Sequence, residues 1–141
     1  MIWKTKLSLD VVNGFSKNTA VESLGIVFEE IGDDYLVARM PVDSRTVQPF
    51  RILHGGASVL LAETLGSIAS TLSIDLTKYQ PVGVEINANH LSSAREGTSV
   101  LGTVRPVRVG RTIHVWSIEI KDEQGKLICI SRITIAVVQR S

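Results

Sequence analysis

One cysteine, Cys129, occurs in 141 residues. No internal disulfide can form, and no cysteine cluster is available to hold a metal. Aromatic residues are few: two Trp, two Tyr and three Phe. Charge of one sign is also lacking, since 15 Lys and Arg face 14 Asp and Glu for a formal net charge of +1. Without a basic block interleaved with aromatics, nucleic acid is excluded as the expected partner. No apolar run approaches the ~18 residues of a membrane span, and the opening MIWKTKLSLD lacks the apolar centre of a signal peptide. The cytoplasm is therefore the expected location, with no membrane partner. No repeat, low-complexity stretch or linker divides the chain, so one domain over residues 1–141 is expected.

The chain is 44% hydrophobic, enough for a real core at this length. Residues 8–24 carry mixed helical signals, with Ser8 placed to cap the first piece and Gly25 to stop the last. IVFEEI and YLVARMPV flank the turn GDD and predict a hairpin. Pro49 marks the loop DSRTVQPFRIL. Residues 55–72 then form the best helix, with Ala57, Leu61, Leu65, Ile68 and Leu72 at spacings of three and four. In VGVEINANHL, Val82, Val84, Ile86 and Ala88 alternate with Gly83, Glu85, Asn87 and Asn89, which predicts one apolar and one wet face. Three further strands follow, turning at Gly110-Arg111 and at DEQG. The expected class is α+β, an antiparallel sheet covered by one long helix.

That helix holds a puzzle. From Gly55 to Ile74, Glu63 is the only ionisable side chain. Its neighbours at three and four residues are Val59, Leu60, Gly66 and Ser67, none basic, so no intrahelical salt bridge can hold it. The helix is apolar or small almost all round, which predicts extensive burial, and burying an unpaired carboxylate is costly. Gly66, Ser67 and Ser70 suggest open space beside the acid. At the other end, HGG brings bare amides to a helix N-terminus, an environment suited to a developing oxyanion. A carboxylate and an oxyanion donor are the two halves of an acyl-transfer site. Gly55 and Glu63 are nevertheless ~12 Å apart along the helix axis. They can serve one carbonyl only if two antiparallel helices exchange them, which predicts a two-fold dimer with composite sites.

LHGGASVLLAE, preceded by MPVDSRTVQPF and followed by VGVEINANHLSSAREG, resembles hotdog-fold acyl-CoA thioesterases, in the branch with its catalytic glutamate on the central helix. The resemblance spans essentially the whole chain, including VRPVRVG and WSIEIKDEQGKL. It is strongest toward members acting on aromatic acyl groups in menaquinone synthesis and toward a paralogue that clears misacylated aryl carrier proteins. It implies dimers, often paired into tetramers. It makes Glu63 the nucleophile or the general base, and the Gly55 N–H the donor that polarises the thioester carbonyl. Gln48 and His54 would position thioester and water, and Ser67 would lie beside the reacting centre. Neither metal nor cofactor is implied. Coenzyme A would lie against Gly83, His90, Leu91, Ser92 and Ser93 and against Arg108, Val109, Gly110, Arg111 and Thr112. The two arginines would meet phosphates, although many relatives carry a basic residue where Ser92 stands.

The residues alone permit plainer readings, with Gln48 as a loop residue, His54 as a cap and Ser67 as helix filler. Trp116 falls in phase with Ile118 and Ile120 and reads as packing, as does His114 at the start of the same strand. Cys129 has no His or acid nearby in sequence and receives no nucleophilic role. A hydratase would need a His–acid pair, which the sequence does not offer. A non-catalytic acyl-CoA-binding module would have no use for Glu63.

Overall fold

The computed structural model describes residues 1–141. Ser8 caps helix α1 (Leu9–Gly14) by accepting from the Val11 N–H, and Thr19 does the same for α2 (Ala20–Ser23) from Val21. Gly25 follows at φ +74°, the left-handed turn that stops α2. Strands β1 (Val27–Ile31) and β2 (Leu36–Pro41) form the expected hairpin.

The long helix α3 (Gly55–Leu72) occupies the bounds that its periodicity predicts. After it, β3 (Tyr79–His90) crosses to the far edge, and β4 (Ser99–Val109), β5 (Ile113–Lys121) and β6 (Leu127–Gln139) fill the middle. The result is one six-stranded antiparallel sheet in the order β1-β2-β4-β5-β6-β3. The sheet wraps the single long helix, which is the hotdog architecture. Leu61, Leu65, Ala69 and Leu72 of α3 are buried in a core shared with Trp116, Ile118, Ile120, Ile133 and Ile135. Full burial of each leucine is worth about 1.5–3 kcal/mol.

Two glycines allow the helix to lie this close. A β-carbon at Gly102 of β4 would stand 2.6 Å from Leu65 Cδ1, and one at Gly66 would stand 2.5 Å from Ile133 Cγ2. The N-terminal segment closes the far end of α3. Lys4 and Thr5 N–H groups donate to the Leu72 carbonyl at 2.8 and 3.0 Å, satisfying one acceptor that every helix end leaves open.

The structure departs from the sequence-based expectations in three places. The sheet covers only one side of α3, so Glu63 is exposed in the single chain and is not buried as the helix composition predicts. Gly66 and Ser70 face the sheet and are buried, so they open no space beside the acid. Only Ser67, half-buried, shares its stripe. In β3 the simple alternation fails, because a bulge between Gly83 and Glu85 slips the phase by one residue. Val82 and Val84, expected inside, are 42% and 62% exposed. Ile86 and Ala88 keep their contact with the core, and Gly83, expected on the wet face, turns toward α3.

Candidate active site

The loop that leads into α3 is folded tightly by its own backbone. Gln48 N–H donates to the Ile52 carbonyl at 2.9 Å and Arg51 N–H to the Gln48 carbonyl at 2.8 Å. The Gln48 side chain accepts from the Phe50 N–H. Arg51, at φ +65°, pairs with Glu96 at 2.5 Å, and Ile52 bridges Arg95. This loop is thereby fixed against the segment that follows β3.

His54 is the cap of α3. Its Nδ1 accepts from the Gly56 N–H at 2.8 Å, so the neutral ring carries its proton on Nε2. The Ala57 and Ser58 amides donate to the His54 carbonyl at 3.0 and 3.2 Å. Of the four amides that open the helix, only that of Gly55 has no acceptor. The His90 ring covers Gly55 so closely that a β-carbon there would lie 2.9 Å from Nε2. Gly55 is needed for that approach.

Around this amide lies a cleft of about 400 Å³ lined by Gln48, Gly55, His90, Leu91, Ser92 and Ser93, all singled out in the sequence. Ile52, Leu53, Ser58 and Ile128 complete it and were missed. Ser58 was detectable, since it stands one turn beyond Gly55 on the same helix face. The Leu91 and Ser92 amides both donate to the Ile128 carbonyl, at 2.8 and 3.3 Å, and hold the lip of the cleft on β6.

Glu63 lies two turns further along α3, outside this cleft. Its Oε2 is 3.0 Å from where a Gly83 β-carbon would stand, and it takes part in none of the chain's ion pairs. Within one chain, then, the free amide and the free carboxylate do not converge. The residues expected to meet coenzyme A are divided in the same way. Val109, Gly110 and Arg111 line a second cleft of about 290 Å³ with Ser73 and Ile74, at the opposite end of α3 from Gly55. Arg108 and Thr112, both exposed, flank it, and neither Arg108 nor Arg111 pairs with an acid. The largest cavity, about 670 Å³ beside Trp3, Asp33 and Tyr35, contains none of the residues predicted for the site.

Cys129 is buried, and burial raises its thiol pKa, which keeps it an unreactive thiol. His114 and Trp116 are buried on the core face, as their phase predicts.

A free helix-terminal amide and an unpaired helix carboxylate thus lie on a hotdog scaffold. The sequence pattern of the thioesterase superfamily matches residues 50–129. The chain belongs to that superfamily and is a thioester hydrolase. It is 53% identical to the 1,4-dihydroxy-2-naphthoyl-CoA hydrolase of Escherichia coli, over 98% of this chain and 100% of that one. It is 48% identical to the proofreading thioesterase EntH of Cronobacter sakazakii, over 98% and 99% of the two chains. The crystal structure of a thioesterase variant from Pseudomonas aeruginosa superposes with a TM-score of 0.96 at 48% identity, covering 99% of this chain and all of that one.

Proposed function

We propose that this protein hydrolyses an aromatic acyl-CoA thioester to the free acid and coenzyme A, with 1,4-dihydroxy-2-naphthoyl-CoA of menaquinone synthesis as its substrate. The observation that carries the reading is the pairing of one unoccupied amide at Gly55 with one unpaired carboxylate at Glu63 on the same helix. The Gly55 N–H polarises the thioester carbonyl and holds the oxyanion that forms on it. Glu63 either attacks the carbonyl carbon, releasing the CoA thiolate and leaving an anhydride that water opens, or removes a proton from the attacking water. Gln48 and His54 position thioester and water, and Ser67, one turn beyond Glu63, borders the reacting group.

The separation of the two groups along α3 requires a second copy, because reacting atoms must approach within ~3.5 Å. Each subunit of a two-fold dimer offers Gly55 to the other's Glu63. Such a dimer also brings the His90–Ser93 surface of one subunit toward the Arg108–Thr112 surface of its partner, and joins the two halves of the coenzyme groove. The exposed edge of β3, with Val82 and Val84 bare, supports this as the contacting side. Two such dimers form a tetramer in the cytoplasm, with residues 1–141 acting as one thioesterase domain.

The similarity to a proofreading thioesterase favours a second reading, release of misloaded aroyl groups from a carrier protein. Steady-state kinetics on dihydroxynaphthoyl-CoA, benzoyl-CoA, a fatty acyl-CoA and an aroyl carrier protein separate the two. Preference for the first supports the menaquinone role, preference for the last supports proofreading, and equal turnover on all rejects both. Glu63→Ala must lower kcat at least ~100-fold if Glu63 does the chemistry; a loss under about tenfold rejects it.

A further inference from the structure

Ser58, Ala62, Gly66 and Ser70 recur every four residues on the buried side of α3. Alanine and glycine bring no polar side chain to that side. Ser70 brings a hydroxyl and uses it, with Trp116 Nε1 at 2.7 Å and His114 Nδ1 at 2.8 Å. Ser58 is 1% exposed, and its hydroxyl makes no hydrogen bond within the chain. Thr64, Thr71 and Ser73 spend theirs on the carbonyl four residues back, at 2.7, 2.8 and 2.7 Å. For Ser58 that carbonyl belongs to His54 and already accepts from the Ala57 and Ser58 amides. A buried hydroxyl without a partner is costly, and alanine, as at Ala62, would fill the place without that cost.

Ser58 opens on the cleft that Gln48, Gly55 and His90 line. Every helical Cα–Cβ bond tilts toward the N-terminus, so the Ser58 side chain lies over the turn where Gly55 stands, three residues earlier on the same face. The Gly55 amide is the one free amide of that turn. Two unspent donors therefore share one cleft at the positive end of a helix. No acid or imidazole hydrogen-bonds to Ser58, so nothing there removes its proton to make it a nucleophile.

We propose that Ser58 is a catalytic residue: its hydroxyl donates a second hydrogen bond to the thioester carbonyl oxygen and, with the Gly55 N–H, completes the oxyanion hole. This deepens, and rests on, the role given to Gly55 above. The serine keeps its proton throughout. As the nucleophile adds to carbon, the carbonyl π electrons pass to oxygen and both hydrogen bonds strengthen. As the CoA thiolate leaves, the carbonyl re-forms and they relax. Bonds that are stronger in the transition state than in the ground state raise kcat and leave KM nearly unchanged.

The test uses an aroyl-CoA and two inert analogues. In one, a methylene separates carbonyl from sulfur, giving a ketone. In the other, a second methylene replaces that carbonyl, giving a plain thioether. Wild type and Ser58→Ala are compared by kcat, KM, melting temperature and affinity for both analogues. Ser58→Ala is expected to lower kcat about 100-fold, with KM within about threefold. Its affinity for the ketone should fall about fivefold or more, and for the thioether less than about twofold. Melting temperature should hold or rise, since alanine favours helix and leaves no unpaired hydroxyl. If Ser58→Ala does not fold, Ser58→Cys, which keeps the bulk but donates weakly, is read in its place. A kcat loss under about tenfold, or equal weakening of ketone and thioether, overturns the proposal and leaves Ser58 a core residue only. Wild type that hydrolyses the thioester but binds both analogues alike makes no hydrogen bond to the carbonyl, and the Gly55 role then fails together with that of Ser58. No hydrolysis of the aroyl-CoA by wild type rejects the functional reading itself.

Discussion

The Glu63 carboxylate rests against the backbone of Gly83, with Oε2 3.0 Å from the place a β-carbon would take. The β3 bulge creates this contact by turning Gly83, and not Val82 or Val84, toward α3. Gly83→Ala therefore pushes the carboxylate aside by a few tenths of an ångström. Misplacement of a reacting group by about 1 Å can cost ~100-fold, so kcat is expected to fall about three- to tenfold. Melting temperature should move little, since Gly83 is exposed on an edge strand. A variant with unchanged kcat shows that the contact does not set the position of the acid.

Val84 is the residue that the bulge ejects, and it is 62% exposed on the free edge of the sheet. Val84→Arg places a charge there without disturbing the core. Sedimentation should show dissociation to monomer at micromolar concentration, and activity should fall in proportion to the dimer fraction. Retained activity in a proven monomer contradicts the composite site.

Burial holds the His114 pKa below its ordinary value of 6.5. Lys4 acts in the same direction, against the Gly110 carbonyl, which favours the charged ring. The unfolded chain thus takes up a proton at this site at a pH where the folded chain does not. With more protons on the unfolded state, stability declines as pH drops below about 6.5. Melting curves between about pH 7.5 and about pH 5 should show the decline, and His114→Gln should lessen its slope. Asp43 and Asp75 act lower on the scale. Hydrogen bonds from Arg45 and Thr77 depress them below 3.8, and their contribution is lost only as pH falls further.

Gly66→Ala tests how tightly α3 is seated. The added carbon would meet Ile133 Cγ2 at 2.5 Å in a buried contact between helix and sheet. Overpacking of this kind typically costs about 1–3 kcal/mol, and denaturant unfolding should report a loss in that range. Gly125→Ala has open space around it but a φ of +83°, and should cost about 1 kcal/mol or more through backbone strain alone.

Much of this fold was legible in residue order because its signals are local. Ser8 and Thr19 cap helices through bonds spanning two or three residues. The three- and four-residue spacing of α3 gives its length. Trp116, Ile118 and Ile120 lie on the buried face that their period of two assigns. The family motif likewise named Gln48, Gly55 and His90, assigning the last to the coenzyme groove, and the fold brings all three to one cleft. The errors came where a non-local event intervened. The β3 bulge depends on pairing with β6, fifty residues on, and one slipped residue exchanged the faces assigned to Val82, Gly83 and Val84. Ser70 looked like an open position beside an acid until folding brought Trp116 and His114 onto its hydroxyl.

Sequence alone determined the class, the helix bounds, the isolation of Glu63 among residues that cannot neutralise it, and the glycine at the helix start, since these follow from composition and short-range spacing. Tertiary structure decided which side of α3 is covered, that the His90 ring packs over Gly55, and that Glu63 leans on Gly83. Those outcomes depend on how a six-stranded sheet closes over a helix, and that closure joins residues far apart in the chain, where no local period can place them.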